Sequence, residues 1–100
     1  MVQLGLFVRL HAKPGKEADL AQFLKQGLEL ANQEEKTPVW FAVRFDARTF
    51  AIFDAFDNEA GRHAHLNGAI AAALMAKASE LLADPPVIEK FDAIGVKLPG

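Results

Sequence analysis

The strongest constraint in this sequence is a strand–helix–strand pattern that occurs twice along the chain. From Leu4 to His11, leucine and valine alternate with other residues, which is the two-residue period of a β-strand. In the segments predicted as helices, apolar residues recur every three or four positions, which is typical of a helix buried on one side. The periods predict strands at about 4–11, 39–45, 49–56 and 87–96, and helices at about 16–33 and 59–83, the second interrupted at Gly68.

The order of these elements is βαββαβ, and it restricts the ways in which the strands can pair. Strands 39–45 and 49–56 are joined by the short turn 46–48, so we expect an antiparallel hairpin. Right-handed crossovers place both helices on the same face of the sheet. The sequence therefore predicts an α+β, ferredoxin-like fold with a four-stranded antiparallel sheet and two helices on one face, in a single domain spanning 1–100.

The predicted strands carry apolar residues on both sides, although two helices cover only one face of a sheet. Burial of each large apolar side chain contributes about 1.5–3 kcal/mol. We therefore expect a homodimer that forms through the open sheet face. The neighbouring residues that point to opposite faces of a strand are Phe7 and Val8, Trp40 and Phe41, and Ile52 and Phe53.

Composition excludes several classes of function. The net charge of -2 gives no basic surface for nucleic acid, and the absence of cysteine excludes disulfides, a thiol nucleophile and thiolate metal ligands. The first residues lack the basic start and long apolar core of a signal peptide. The longest weakly charged stretch, 66–76, is too short to cross a bilayer. We expect a cytoplasmic protein that binds neither nucleic acid nor membrane.

Three stretches of sequence resemble a known family in their order and spacing. They are Arg-Leu-His-Ala-Lys-Pro-Gly-Lys-Glu at 9–17, Phe-Asp-Ala-Phe-Asp-Asn-Glu-Ala at 53–60 with a His-Leu step at 65–66, and Leu-Leu-Ala-Asp-Pro-Pro at 81–86. Over residues 4–96 the chain resembles the antibiotic biosynthesis monooxygenase-like proteins, which are dimeric α+β barrels. The resemblance implies a substrate pocket between sheet and helices. The family includes cofactor-free oxygenases of polycyclic aromatic or quinol substrates, haem-degrading relatives and members without known activity.

The resemblance argues against a haem cofactor. The haem-degrading relatives carry an asparagine, a tryptophan and a ligating histidine, and Val8, His65 and Met75 stand at the matching positions. A methionine on an apolar helix is usually a packing residue. The histidines at 63 and 65 are also unsuited to a shared metal, because ligands on one helix face are four residues apart. We expect neither a cofactor nor a metal.

His65 is the candidate catalytic residue, because it stands at the family's histidine position and a neutral imidazole accepts protons near neutral pH. The alternative is a buried histidine that only donates to a backbone carbonyl. His63, two residues earlier, points about 200° away on a helix and is expected to be exposed. Asn67 is a candidate for orienting the substrate, although capping of the second helical piece is the favoured role.

The candidate substrate-binding residues are apolar. The resemblance places an apolar cavity between sheet and helices, and the alanine-rich run 69–73 leaves volume there, although a fully packed core is the alternative. Trp40 could stack on a planar substrate or anchor the dimer, and Arg44 is expected to pair with Asp54 or Glu89. The residues expected to line the cavity are Leu6, Val8, Phe41, Ile52 and Leu74.

Two functions remain open from the sequence. The first is a cofactor-independent monooxygenase that acts on a small aromatic or quinol-type substrate, with His65 as the base. The alternative is a non-catalytic dimeric protein of the same fold, either a small-molecule-binding protein or a stress-related one. A cavity with His65 pointing into it favours the enzyme, and a filled core favours the binding protein.

Overall fold

The computed structural model describes residues 1–99, and its seven elements follow the predicted order. Gly100, the last residue of the predicted single domain, lies outside the described residues. The four strands form one antiparallel sheet in the order β2-β3-β1-β4, so the predicted ferredoxin-like α+β fold is confirmed. The elements are β1 (Leu4–His11), α1 (Glu17–Asn32), β2 (Val39–Arg44), β3 (Thr49–Phe56), α2 (Glu59–Leu66), α3 (Ala69–Leu81) and β4 (Val87–Asp92).

The interruption of the second helical segment is confirmed, and one strand ends several residues earlier than the sequence predicts. The second helical segment is two helices, α2 and α3, separated at Gly68 as the interruption there predicted. The prediction that β4 extends to residue 96 is wrong, because the strand ends at Asp92. Ala93 still donates its N–H to the carbonyl of Gln3 at 2.8 Å, but the chain beyond leaves the sheet and Ile94 is fully exposed.

The start of α2 is fixed by a local cap. The Asn58 side chain accepts a hydrogen bond of 2.9 Å from the N–H of Gly61, which otherwise has no partner in the first helical turn. Glu59 adds a carboxylate in that turn, where it interacts favourably with the helix dipole. This cap sets the phase of α2 and hence the direction in which His65 points.

The core lies between the helices and one face of the sheet. The β1 residues Val8 and Leu10 and the β3 residues Phe50 and Ile52 alternate toward this face, because successive strand residues point to opposite sides. Helices α1 and α3 supply the other half of the core. Its buried helical members are Leu20, Leu24, Leu74 and Leu81.

The opposite face of the sheet carries a row of aromatic side chains and no helix. The Phe53 ring stacks on Phe91 with centroids 5.2 Å apart and lies 6.4 Å from the Phe41 ring. Phe41 is 57% exposed and Phe53 is 37% exposed. The predicted position of Phe41 between sheet and helices is therefore wrong. Phe41 pairs with Phe53 across β2 and β3, and cross-strand partners share a face.

Gly5 is the residue that lets the aromatic row cross the sheet. It pairs with Phe91 of β4, and a Cβ atom at Gly5 would overlap both the Phe91 ring and the Asp54 carbonyl oxygen. The missing side chain therefore lets Phe91 lie over β1 and reach Phe53.

Among residues 1–99, no helix is long and apolar enough to cross a membrane.

We expect Gly5→Ala to lower the free energy of unfolding by about 1–3 kcal/mol, because the new methyl group overpacks a filled site. Gly95→Ala is the matched control, since a Cβ there meets open space, and its effect should stay within about 0.5 kcal/mol. Urea unfolding followed by circular dichroism measures both changes. Equal stabilities of the two variants would contradict the packing described for Gly5.

Candidate functional site

The side chain of a histidine in α2 points toward the sheet and lies between two carboxylates. The Nδ1–H of His65 donates to Glu34 Oε1 at 2.6 Å, and its Nε2 atom lies 2.9 Å from Asp54 Oδ2. His65 is 6% exposed and Asp54 is fully buried. We refer to Glu34, His65 and Asp54 as the acid–histidine cluster. Its members come from three segments: the α1–β2 connection, α2 and β3.

The local structure explains why these three side chains meet. Asp54 lies on the helix-facing side of β3, two residues after Ile52 and two before Phe56. Glu34 is held from the other side, because the Thr37 hydroxyl donates to its Oε1 at 2.9 Å. The Phe56 ring packs against the imidazole with centroids 5.4 Å apart. The histidine ring is therefore fixed on two edges and one face.

Burial and charge pull the pKa values of the cluster in opposite directions. Burial raises the pKa of Asp54, although the contact with His65 opposes it. Burial alone would lower the pKa of His65, but its contacts with Asp54 and Glu34 outweigh that effect and raise it above the usual value. The 2.9 Å contact between Nε2 and Oδ2 is an ion pair when the imidazole is protonated. The cluster therefore binds a proton more tightly than an exposed histidine does.

The cluster still has unused acceptors. Among residues 1–99, both Asp54 oxygens and Glu34 Oε2 are buried without a hydrogen-bond partner, and Asp54 Oδ2 meets His65 Nε2 only as an ion-pair contact. Buried carboxylate oxygens in this state are costly, and a role in binding or proton transfer is one explanation for them. Both ring nitrogens of His65 are engaged, so a proton that enters or leaves the imidazole passes through one of the two carboxylates.

Glu34 and His65 also border a surface groove of 520 Å³, which we call the polar groove. Its walls come from the α1–β2 connection and from the region where α2 meets α3. Gly68 keeps this region close to the cluster, because a Cβ atom there would lie 3.3 Å from Glu34 Oε2. The Glu34 end of the cluster therefore lies close to solvent.

A second groove of 430 Å³ lies between α1 and the edge strand β2, and we call it the Trp40 groove. Trp40 and Ala42 line it from β2, and Leu24 and Leu28 line it from α1. Trp40 is the cross-strand partner of Asp54, so one lining residue of the groove neighbours the cluster, although Asp54 itself does not line the groove.

The apolar residues predicted to line a substrate cavity do not all lie on the same face of the sheet. Val8, Ile52 and Leu74 meet in the core between sheet and helices, and each is at most 7% exposed. Phe41 lies on the opposite face of the sheet, as described above. The structure therefore brings three of the five together in packed contact, and the fifth, Leu6, is buried on the same side of β1 as Val8. Their role in binding a substrate stays a prediction.

The polar candidates also differ from their expected positions. Asn67 ends α2: its side-chain amide donates to the His63 carbonyl at 2.9 Å, so it caps the first helical piece and not the second. Arg44 does not pair with Asp54, which contacts His65 instead. The Arg44 guanidinium lies 4.6 Å from the centre of the Phe50 ring. Trp40 packs against the core on the helix side, so it is not on the open sheet face.

The two carboxylates beside His65 are the part of the site that the sequence interpretation missed. A signal for Asp54 existed, because it is the one acidic residue at a helix-facing position of β3, between Ile52 and Phe56. Glu34 gave no such signal, because it lies in a polar connection where charged residues are common. Within residues 1–99, no group of three or more histidine or acidic side chains is arranged to hold a metal ion.

Comparison with solved structures identifies relatives of this chain. It is 60% identical to a protein of unknown function from Nitrosomonas europaea, with a TM-score of 0.98, covering 100% of this chain and 97% of that one. Putative antibiotic biosynthesis monooxygenases from Deinococcus radiodurans and Caulobacter crescentus are each 20% identical, with TM-scores of 0.82 and 0.79. The first match covers 97% of this chain and 99% of that one, and the second covers 94% and 92%.

These matches confirm that the chain has the fold of the antibiotic biosynthesis monooxygenase-like proteins, which its sequence resembles. No family model matches the chain, and no curated protein matches it either.

The raised pKa values make stability depend on pH. A group whose pKa is higher in the folded state stabilises the fold below its unfolded pKa, which is about 6.5 for histidine, and this contribution is lost as pH rises through the folded pKa. The pKa of Asp54 is also raised in the folded state, from the lower value of a carboxyl group, so its contribution to stability is likewise lost as pH rises. We therefore expect the free energy of unfolding to fall as pH rises above about 6.5.

Urea unfolding between pH 6 and pH 9 measures this slope. The double variant Asp54→Asn with His65→Gln removes both titrating groups and should flatten it, whereas His63→Gln, an exposed histidine on the same helix, should leave the contribution of the cluster intact. An unchanged slope in the double variant would show that the cluster takes up no proton on folding.

Proposed function

Because the chain belongs to one family with the 60% identical Nitrosomonas europaea protein and has the fold of antibiotic biosynthesis monooxygenases, we propose that it is a cofactor-independent monooxygenase. Its substrate is a small aromatic or quinol-type molecule. The observation that carries the proposal is the acid–histidine cluster, in which a buried imidazole is held between two carboxylates.

The cluster suits the first step of such a reaction, which is removal of a proton from the substrate. Asp54 Oδ1 has no hydrogen-bond partner within residues 1–99, so it is the acceptor that remains on the interior side. Glu34 lies at the other end, on the wall of the polar groove. A proton taken up at Asp54 is shared with His65, and Glu34 provides the route to solvent. A positioned base of this kind contributes about 10²–10⁴-fold to a rate.

The substrate itself supplies the electrons, so the reaction balances without a cofactor. In an anthrone-type substrate, loss of a proton from the CH₂ carbon gives an electron-rich anion that transfers one electron to dioxygen. The resulting radical pair combines to a peroxide at that carbon. Breakage of the O–O bond leaves one oxygen as the new carbonyl, while the second oxygen leaves as water with the two hydrogens of the CH₂ group. The substrate loses four electrons and dioxygen gains four.

The second candidate function is a non-catalytic dimeric protein that binds a small molecule or serves in a stress response. A specific observation favours it: Val8, Ile52 and Leu74 pack tightly in the core, where the resemblance places the family's pocket. In this account the acid–histidine cluster only fastens α2 to the sheet. Turnover measurements separate the two candidates.

Oxygen consumption with a panel of anthrones and quinols tests the proposal. We expect turnover by the wild-type protein and a loss of about 10²-fold or more in His65→Ala, because the imidazole that shares the proton taken up at Asp54 is removed. His63→Ala is the matched control on the same helix and should retain wild-type turnover. Unchanged turnover in His65→Ala would remove the cluster from the mechanism. No turnover with any of these substrates would favour the binding protein.

We propose further that two copies associate through the open sheet face, as the resemblance implies. The row of Phe41, Phe53 and Phe91 supports this, because each large apolar side chain that is buried contributes about 1.5–3 kcal/mol. The dimer would cover a face that α1, α2 and α3 leave open.

Sedimentation of wild-type and variant chains tests the dimer. Phe41→Glu places a charge in the aromatic row of the proposed interface and should shift the chain from dimer to monomer. Met75→Glu is the control, because Met75 is 61% exposed on α3, away from the sheet, and it should leave the dimer unchanged. A monomeric wild-type protein at micromolar concentration would contradict the proposal.

A further inference from the structure

The Trp40 groove is open because of one small side chain on the edge strand. Ala42 is exposed and pairs with Ile52 across β2 and β3, so its methyl group faces the helix side between Trp40 and Arg44. A larger residue there would fill the space under α1. The volume of 430 Å³ lies within the range of about 300–1,000 Å³ that is typical of small-molecule sites.

The walls of the groove fit a flat apolar ring. Leu24 and Leu28 of α1 form one side, and the Phe50 ring and Trp40 form the other. The outer indole carbons lie against α1 at Gly27, where an added Cβ atom would be in ordinary van der Waals contact with them at 3.5 Å. The indole packs against α1 and the core in the unliganded chain, which reduces the entropy lost on binding.

The polar groups of the groove are donors and cations. Trp40 Nε1 is buried without a hydrogen-bond partner among residues 1–99, although a buried indole N–H usually has one. Arg44 lies over Phe50 at the rim, and within the described residues it forms no ion pair with a carboxylate. Lys25 adds a second positive charge, and no acidic residue lines the groove. These groups call for a ligand with an oxygen that accepts hydrogen bonds.

We propose that the Trp40 groove binds a planar aromatic molecule that carries an anionic or carbonyl oxygen, with its ring over Ala42 between Trp40 and Arg44. The oxygen accepts from the indole N–H and lies near the guanidinium. The inference rests on the proposed function, because it names the site where the aromatic substrate binds. Trp40 is the cross-strand partner of Asp54, so one wall residue of this site neighbours the acid–histidine cluster.

Nuclear magnetic resonance tests the site directly, because the chain has one tryptophan and therefore one indole N–H signal. The probe is 2-naphthoate, which is not oxidised, and the neutral comparison is 2-naphthamide. We expect naphthoate to shift the indole signal in a saturable titration and to bind about tenfold more tightly than naphthamide, because hydrogen bonds and ion pairs to charged groups are the stronger ones.

Two substitutions test the residues that carry the argument. Ala42→Leu fills the groove at an exposed position and should abolish the shift while leaving the circular dichroism spectrum unchanged. Arg44→Gln should weaken naphthoate binding about tenfold and remove its advantage over naphthamide. Arg48→Gln is the control, because Arg48 pairs with Glu17 outside the groove and binding should stay within about twofold.

Three outcomes would overturn the proposal: an indole signal that naphthoate does not move, equal binding by Ala42→Leu, or an indole signal that responds to dilution and not to naphthoate. The last would mean that a second copy covers the groove along the edge strand β2. Binding and turnover fail separately. If naphthoate binds but no substrate causes oxygen consumption, the binding site is supported and the proposed monooxygenase activity is contradicted. If Ala42→Leu consumes oxygen at the wild-type rate, the monooxygenase activity is supported and the Trp40 groove is not the substrate site.

Discussion

The burial of Asp54 is the constraint on which the helix side of this fold depends. A carboxylate on a central strand with no solvent exposure costs several kcal/mol unless a partner compensates it. His65 is that partner, and it can reach Asp54 only if α2 begins at its Asn58 cap and lies against β3. Glu34 then draws the α1–β2 connection onto the other edge of the imidazole. One buried charge therefore ties together three segments that are distant in the sequence.

The two faces of the sheet serve different purposes because strand residues alternate. In β3, Phe50, Ile52 and Asp54 face the helices, whereas Phe53 faces outward with Ala51 and Ala55 beside it. The helix side therefore contains the core, the acid–histidine cluster and the Trp40 groove. The open side contains the aromatic row, whose rings need a second surface. In our account, chemistry and self-association occupy opposite faces and do not compete for the same residues.

Periodicity predicted the fold well because it depends on short-range patterns. The alternation at 4–11 and the hairpin around 46–48 fixed the strands and their pairing, and Gly68 marked the break between α2 and α3. Long-range contacts were harder to predict. His65 was identified as the candidate base, yet its carboxylate partners come from residues 11 and 31 positions away in the chain, and no local pattern specifies such a meeting.

The errors have similar physical causes. Phe41 was grouped with the core residues, although its own alternation with Trp40 places it on the other face. Arg44 was expected to need a carboxylate, but the Phe50 ring provides a favourable contact for its guanidinium without one. Asp54 was thereby assigned to the wrong partner. A prediction of ion pairs from neighbouring strands alone omits side chains on the helices, and Asp54 contacts such a side chain, His65 of α2.

The protonation state of His65 is the most direct test of this account. Nitrogen-15 spectra of the imidazole, recorded against pH and assigned by comparison with His65→Gln, follow the protons on both ring nitrogens. The account predicts that His65 titrates above the usual histidine value, because the contacts with Asp54 and Glu34 outweigh the effect of burial on its pKa. An imidazole that titrates at or below the usual value, or stays neutral throughout, would contradict it.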